Sequence, residues 1–195
     1  MDLMQILMQQ LSGDGVKQIS QKIGADEGST NQAIGTALPV LISALAKNSS
    51  QQGGAENLHR ALQNDHDGSI LDDVSGYLTG ANAGSGGEAI LGHVLGNRQN
   101  NVTNALSQQT GLDKGSIFQL LTTLAPMLMG ALGKTQAQGG FDPSSLSGYL
   151  NGQKQQMQAN SPDMMGTLTS LLDQDKDGSI IDDLGNIASK LFKNQ

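Results

Sequence analysis

Apolar residues in the first fifty positions recur every three or four residues, which is the spacing that places them on one face of an α-helix. The first series is Leu3, Ile6, Leu7 and Leu11, and the second is Val16, Ile19 and Ile23. Gly24 follows the second series at the position where glycine commonly ends a helix. The pattern therefore predicts two short helices before residue 25.

A longer apolar series runs from Ala33 to Leu45, and either Asp26 or Ser29 could cap the helix that it predicts. Pro39 lies inside this series, and Pro126 lies at the corresponding place in a similar stretch further along the chain. A proline within a helix removes a hydrogen bond, so we expect a kink or a break at both positions. No segment shows convincing strand alternation, and the predicted fold class is all-α.

The chain contains internal repetition at two different offsets. Residues Val16–Ser29 resemble Thr103–Ser116 at an offset of 87 residues, whereas two acidic segments are related at an offset of 110. The difference of 23 residues indicates an insertion in the second copy, within the Gln/Gly-rich stretch at about 135–162. We therefore predict two tandem helical repeats, over residues 1–80 and 88–195.

Composition limits the partners that the chain can have. Its net charge is −7, from 18 acids against 11 Lys and Arg, and no basic cluster is visible. Nucleic-acid binding needs such clusters, so we expect no nucleic-acid partner. No apolar run approaches the roughly 20 residues of a membrane span, and the N-terminus lacks a signal-peptide pattern. With no cysteine in the chain, these features predict a cytoplasmic protein without a membrane partner.

Nine of the 18 acids lie in two short loops, at residues 63–74 and 173–184. The second loop follows the EF-hand or dockerin-like pattern, in which alternating acids precede a glycine. Asp173, Asp175 and Asp177 take the first three ligand positions, Gly178 takes the turn, and Ser179 offers its backbone carbonyl. Because Ca²⁺ prefers six to eight oxygen ligands, this clustering predicts a calcium site.

The end of this loop departs from the template. Leu184 stands where a standard loop has its bidentate Glu, and Asp182 or Asp183 has to close the site instead. A short carboxylate one residue early predicts weak binding, with a dissociation constant of about 10⁻⁴ M. We expect such a site to act as a structural staple, with Asp183 as a direct ligand.

The first loop repeats the pattern with fewer acids. Asp65 and Asp67 precede Gly68, Ser69 offers its carbonyl, and Asp73 takes the closing position. The first ligand position carries no acid, so we expect calcium to bind more weakly here than at the second loop.

A second interpretation of both loops needs no metal. Asp-Gly-Ser is a turn sequence, and Ser69 with Asp72, like Ser179 with Asp182, resembles a capping box at a helix start. Under this interpretation the protein is a metal-free interaction scaffold. Its partner would be an unidentified protein or a second copy of the chain.

Several blocks of the sequence resemble a known family. The segments "ALPVLISALAKN", "HDGSILDDV", "AILGHVLGNRQ", "LSQQTGLD" and "LAPMLMGALGK" are similar to the bacterial YidB-like family, a domain of unknown function, number nine hundred thirty-seven. The resemblance covers nearly the whole chain except the Gln-rich insertion. It implies an all-α fold with homeodomain-like helix packing, and it implies no established activity.

The histidines give no indication of an enzyme. His59, His66 and His93 show neither HxxxH nor HExxH spacing, and the chain has no nucleophile elbow or phosphate-binding loop. We therefore expect a non-enzymatic protein, with calcium binding as the preferred function and the metal-free scaffold as the alternative.

Overall fold

The computed structural model describes residues 2–80, 84 and 86–160. Within these residues the fold is all-α, as the sequence predicts, and no strand is formed. The helices, in chain order, are α1 (Leu3–Leu11), α2 (Asp14–Ile23), α3 (Glu27–Ser49), α4 (Gly54–Asp65), α5 (Val74–Thr79), α6 (Gly87–Leu95), α7 (Gln99–Thr110), α8 (Lys114–Gly139) and α9 (Pro143–Asn160). Two short 3-10 turns, Ser69–Leu71 and Gly96–Arg98, complete the described elements.

The two long helices α3 and α8 form the centre of the molecule. α8 packs against α1, α2, α3, α4, α6 and α7, and α3 packs against α9. Leucines, isoleucines, alanines and methionines from nearly every described helix join in one continuous core. Because few aromatic side chains are present, this core depends on the close meshing of aliphatic side chains.

The predicted helix ends are confirmed near the N-terminus. Gly24 adopts a left-handed conformation with φ 69° and ends α2, and its backbone N–H donates to the carbonyl of Ser20. Asp26 then caps α3, since its side chain accepts a hydrogen bond of 2.9 Å from the backbone N–H of Ser29. Of the two candidate caps in the sequence, Asp26 is therefore the one used.

The two internal prolines do not break their helices. α3 continues through Pro39 for 23 residues, and α8 continues through Pro126 for 26 residues. A proline costs one backbone hydrogen bond, but both segments are buried on most sides by other helices. Tertiary packing therefore keeps each segment as a single helix, and the prediction of a break is wrong.

α9 lies within the Gln/Gly-rich insertion and forms hydrogen bonds with the start of α1 and with the C-terminal end of α3. Gln153 accepts a hydrogen bond of 3.1 Å from the backbone N–H of Leu3. At the other end, the hydroxyls of Ser147 and Ser49 are 3.3 Å apart, and Asn151 donates to the hydroxyl of Ser50 over 3.1 Å. The insertion therefore contributes a core helix to the described structure.

α8 has the length and hydropathy of a membrane-crossing helix, but 72% of its most apolar window is buried inside the protein. The core helix of a globular protein shows the same combination of composition and burial.

Candidate functional site

The first acidic loop joins α4 to α5 and turns sharply at Gly68. Gly68 has φ 98°, a left-handed conformation that glycine adopts readily. The carboxylate of Asp67 accepts a hydrogen bond of 2.9 Å from the backbone N–H of Ser69. This hydrogen bond is the main reason why the pKa of Asp67 lies below its usual value. Asp67 therefore stabilises the turn by bonding to the backbone.

The acids after the turn also have partners within the protein. Asp73 caps α5 by accepting a hydrogen bond of 2.7 Å from the backbone N–H of Gly76. Asp72 forms an ion pair of 2.8 Å with the ammonium group of Lys134 on α8. The predicted capping box between Ser69 and Asp72 is therefore replaced by separate contacts of Asp67, Asp72 and Asp73.

The remaining predicted calcium ligands of this loop are Ser69 and Asp65. The carbonyl of Ser69 accepts a hydrogen bond of 3.0 Å from the backbone N–H of Asp72. Asp65 is the last residue of α4, and it lines the groove between α4 and α6 that is described below. Over residues 2–80, 84 and 86–160, no three His, Asp or Glu side chains are grouped as a metal site. Asp67 and Asp73 thus accept hydrogen bonds from backbone N–H groups, and Asp72 pairs with Lys134.

The predicted ligands of the second loop lie outside the described residues. They are Asp173, Asp175, Asp177, Ser179 and Asp183.

The first acidic loop is seated directly on α8, where two glycines allow a close approach. A Cβ atom at Gly133 would collide with the backbone carbonyl of His66, and one at Gly130 would collide with the side chain of Ile70. Leu71, in the same loop, is buried in the core. The loop is therefore packed as part of the fold, with the Asp72–Lys134 ion pair at its edge.

A groove of about 830 Å³ opens beside this loop, between α4 and α6. Its apolar surface comes from four elements and includes Leu45, Leu58, Ile90, Val94 and Met129. Leu58 and Ile90 are only partly buried, so their side chains are accessible from the groove. Polar side chains at the edge include Gln51, Gln52 and Asn57. Grooves of this size and lining bind ligands or partner helices.

One end of the groove is fixed by hydrogen bonds at the end of α6. Asn48 donates to the carbonyls of His93 and Val94, both over 2.9 Å. Arg98 in turn donates to the side-chain oxygen of Asn48 over 3.2 Å. These contacts satisfy carbonyl groups that a helix end otherwise leaves unpaired, and they hold α6 against α3.

Two histidines, His66 and His93, line the groove. Burial is the main influence on the imidazole of His66 and lowers its pKa, while the charges of Asp65 and Asp67 act in the opposite direction. The third histidine, His59, contacts the carbonyl of Phe141 over 2.9 Å and links α4 to the start of α9.

The groove was not predicted from the sequence. The one indication was α6, GEAILGHVL, in which Leu91, Val94 and Leu95 already supply a buried face. Ile90 is an additional apolar residue that this face does not fully cover. Single apolar residues are common at protein surfaces, so Ile90 by itself could not identify a binding surface from the sequence.

Over the residues that the structure describes, these features define an all-helical fold with an apolar groove and an acidic loop built into its packing. The chain belongs to the family described as bacterial protein of unknown function (DUF937), whose model matches residues 5–135. The family predicted from the sequence blocks is thus confirmed. No curated protein and no solved structure matches the chain. Residues 136–195, including the second acidic loop, lie beyond the matched range.

Proposed function

We propose that this protein is a non-enzymatic interaction protein that binds an amphipathic helix of a partner in the groove between α4 and α6. The supporting observation is the accessible apolar surface of Leu58 and Ile90 above Leu45 and Met129. A partner helix would place apolar side chains at i, i+3 and i+4 on this surface. The polar side chains at the edge of the groove, Gln51, Gln52 and Asn57, would then contact the polar face of the partner helix.

The test uses one substitution in the groove and a matched substitution outside it. Ile90→Lys places a charge on the apolar surface, and Gln109→Lys places the same charge on the exposed side of α7. Cross-linking in cells, followed by mass spectrometry, should identify a partner that the wild type and Gln109→Lys retain and Ile90→Lys loses. A partner that binds all three proteins equally would refute the proposed site.

Sedimentation equilibrium of the same three proteins separates self-association from binding to another protein. If the occupant is a second copy, the wild type and Gln109→Lys should dimerise with rising concentration, whereas Ile90→Lys should stay monomeric. Equal association of all three proteins would place the dimer contact elsewhere.

We also propose calcium binding at the second acidic loop as an independent function. Its support is the sequence alone, since Asp173, Asp175, Asp177 and Asp183 provide carboxylates and Ser179 a carbonyl within eleven residues. Calcium would act there as a structural staple. At the first loop, the contacts of Asp67, Ser69 and Asp73 support the metal-free role instead, and Asp65 shares no ligand group with them in the part of the chain that the structure describes.

Calorimetric titration with Ca²⁺ and Mg²⁺ tests this second proposal. We expect Ca²⁺ to bind with a dissociation constant of about 10⁻⁴ M. Asp175→Asn with Asp177→Asn should abolish the binding heat, and the matched pair Asp65→Asn with Asp67→Asn should leave it. Sub-micromolar affinity would exclude a simple staple, and no heat in the wild type would exclude the site.

We further propose that the helices form two tandem repeats with the homeodomain-like packing that the family resemblance implies. The local structure supports equivalence at the offset of 87 residues. Asp26 caps α3 and Asp113 caps α8, each through the backbone N–H of a serine three residues later. Gly24 and Gly111 end the preceding helices in left-handed conformations. The limits remain those predicted from the sequence, 1–80 and 88–195.

A further inference from the structure

Asp65 is the one acid of the first acidic loop whose carboxylate has no partner in the part of the chain that the structure describes. Asp67 and Asp73 accept hydrogen bonds from backbone N–H groups, and Asp72 pairs with Lys134. The carboxylate of Asp65 forms neither a hydrogen bond nor an ion pair with any described residue. Because Asp65 is exposed, its negative charge is available to a bound molecule.

The position of Asp65 in α4 makes this charge electrostatically unfavourable in the free protein. Asp65 is the last residue of the helix, where the backbone carbonyls already give a partial negative charge. Asp67 adds a second negative charge two residues later. His66 does not neutralise these acids at neutral pH, because burial lowers the pKa of its imidazole below the usual value of 6.5. The end of α4 therefore favours a bound cation.

Asp65 also lies on the face of α4 that forms the groove. Leu58, Ala61 and Asp65 all line the groove, and their spacing of three and four residues places them on one side of the helix. Asp65 is seven residues beyond Leu58, which corresponds to about 10 Å along the helix. It is the only carboxylate among the described residues of the lining. The apolar surface of α4 thus ends at an exposed negative charge.

The opposite end of the groove has the opposite charge. Gly54, the first residue of α4, packs against the backbone carbonyl of Asn48. The side chain of Asn48 accepts a hydrogen bond of 3.2 Å from Arg98, which also lines the groove. Asp65 follows Gly54 by eleven residues, or about 16 Å of helix. The charge of the lining therefore changes from positive to negative along α4.

We propose that the helix bound in this groove carries a lysine or arginine about seven residues from the apolar residue that covers Leu58, and that this cation pairs with Asp65. A partner helix that lies along α4 has the same rise per residue, so a residue seven positions away reaches Asp65 from the same face. An acidic residue at that position would be repelled. This inference rests on the proposed helix binding and specifies which helices the groove selects.

A displayed library of model helices is the probe for this selection. Each member has fixed leucines at i, i+3 and i+4, and Lys, Gln or Glu at i−7 and i+11. Helices that bind the wild type and fail to bind Ile90→Lys depend on the groove. We expect these helices to be enriched in Lys at one of the two variable positions. Selection on Asp65→Lys should instead enrich Glu at the same position.

The outcomes distinguish this inference from the proposed function. Helices that depend on the groove but show no preference for Lys would overturn the pairing with Asp65 and leave the groove as a helix-binding site. The absence of any helix that depends on the groove would overturn both. Dimerisation of the wild type that Ile90→Lys abolishes would assign the groove to a second copy of the chain and overturn the stated partner.

Fluorescence anisotropy with one selected helix and its Lys-to-Gln counterpart measures the pairing. The wild type should bind the Lys form about two- to fivefold more tightly, as expected for an ion pair at a partly exposed edge. Asp65→Asn should lose this preference. Glu56→Gln should keep it, since Glu56 is an exposed acid of α4 outside the groove lining. A Lys preference that Asp65→Asn retains would refute the pairing.

Thermal unfolding of Asp65→Asn separates a binding role from a structural one. Its transition midpoint should equal or exceed that of the wild type, because a negative charge at the end of a helix is unfavourable. A lower midpoint would show that Asp65 stabilises the free protein, and it would contradict the proposed role of this carboxylate.

Discussion

At the scale of single residues, the glycines of α8 show how a glycine-to-alanine substitution, which usually stabilises a helix, can instead destabilise the protein. Alanine normally stabilises an exposed helix interior by about 0.5–1 kcal/mol relative to glycine. Gly133→Ala instead forces a Cβ atom against the backbone carbonyl of His66. We expect a loss of about 1–3 kcal/mol in the free energy of unfolding, measured by urea denaturation.

Gly92→Ala in α6 is the matched control. Gly92 is exposed, and a Cβ atom added at this position would meet no other atom within 4 Å. We expect this variant to be as stable as the wild type or up to about 1 kcal/mol more stable. If both substitutions change the free energy of unfolding equally, the first acidic loop does not pack closely against α8 at Gly133.

The half-buried imidazole of His66 predicts a specific dependence of stability on pH. Burial lowers its pKa in the folded state below the usual value of 6.5, against the opposing charges of Asp65 and Asp67. The unfolded chain therefore binds more protons, and stability falls as the pH drops below about 6.5 toward the folded pKa. His66→Gln should show a smaller decrease between pH 7.5 and 5.5 in denaturation curves. If the unfolding free energy of His66→Gln falls with pH as steeply as that of the wild type, other groups cause the decrease.

Residues with a local role could be predicted from the sequence, and those with a distant partner could not. Gly24 and Asp26 act on neighbouring backbone groups, so their positions in the sequence define their contacts. Gly133 and Lys134 act on a loop more than 60 residues away. Only the three-dimensional packing reveals that α8 needs a small residue at one of these positions and a cation at the other.

At the scale of single elements, the start of α5 distinguishes a cap from a metal ligand. Asp73→Ala removes the acceptor for the backbone N–H of Gly76, and we expect a loss of about 1 kcal/mol in unfolding free energy. Asp73→Asn should lose little, because Asn caps helices about as well as Asp. Both results should be the same with calcium and with a chelator. A calcium-dependent difference between Asp and Asn would restore the metal interpretation of the first loop.

The presence of helices could be predicted because their apolar spacing is set by local geometry. Their continuity through the prolines could not be predicted. Pro39 and Pro126 are strong breakers by local rules, yet α3 and α8 pass through them. The burial of both helices outweighs the missing hydrogen bonds, and burial depends on residues far away in the sequence. The groove could not be predicted for the same reason, since α4 and α6 line it together only in the folded chain.

At the scale of the whole molecule, the two sequence halves share one hydrophobic core. α1 packs on α8, and α9 packs on α3, so each half covers apolar residues of the other. A fragment of residues 1–80 would expose the surfaces of α1, α2 and α3 that α8 and α9 cover. Burial of a leucine contributes about 1.5–3 kcal/mol, and several such residues would be exposed at once.

We therefore expect residues 1–80 alone, the first of the two proposed repeats, to lack a cooperative thermal transition by circular dichroism. Mixing this fragment with residues 81–195 should restore a cooperative transition, because the two parts complete one core. The intact chain is the reference for the transition midpoint. A cooperative transition in the isolated fragment would mean that each repeat folds independently. The contacts of α8 with the first half would then be an interface between two domains.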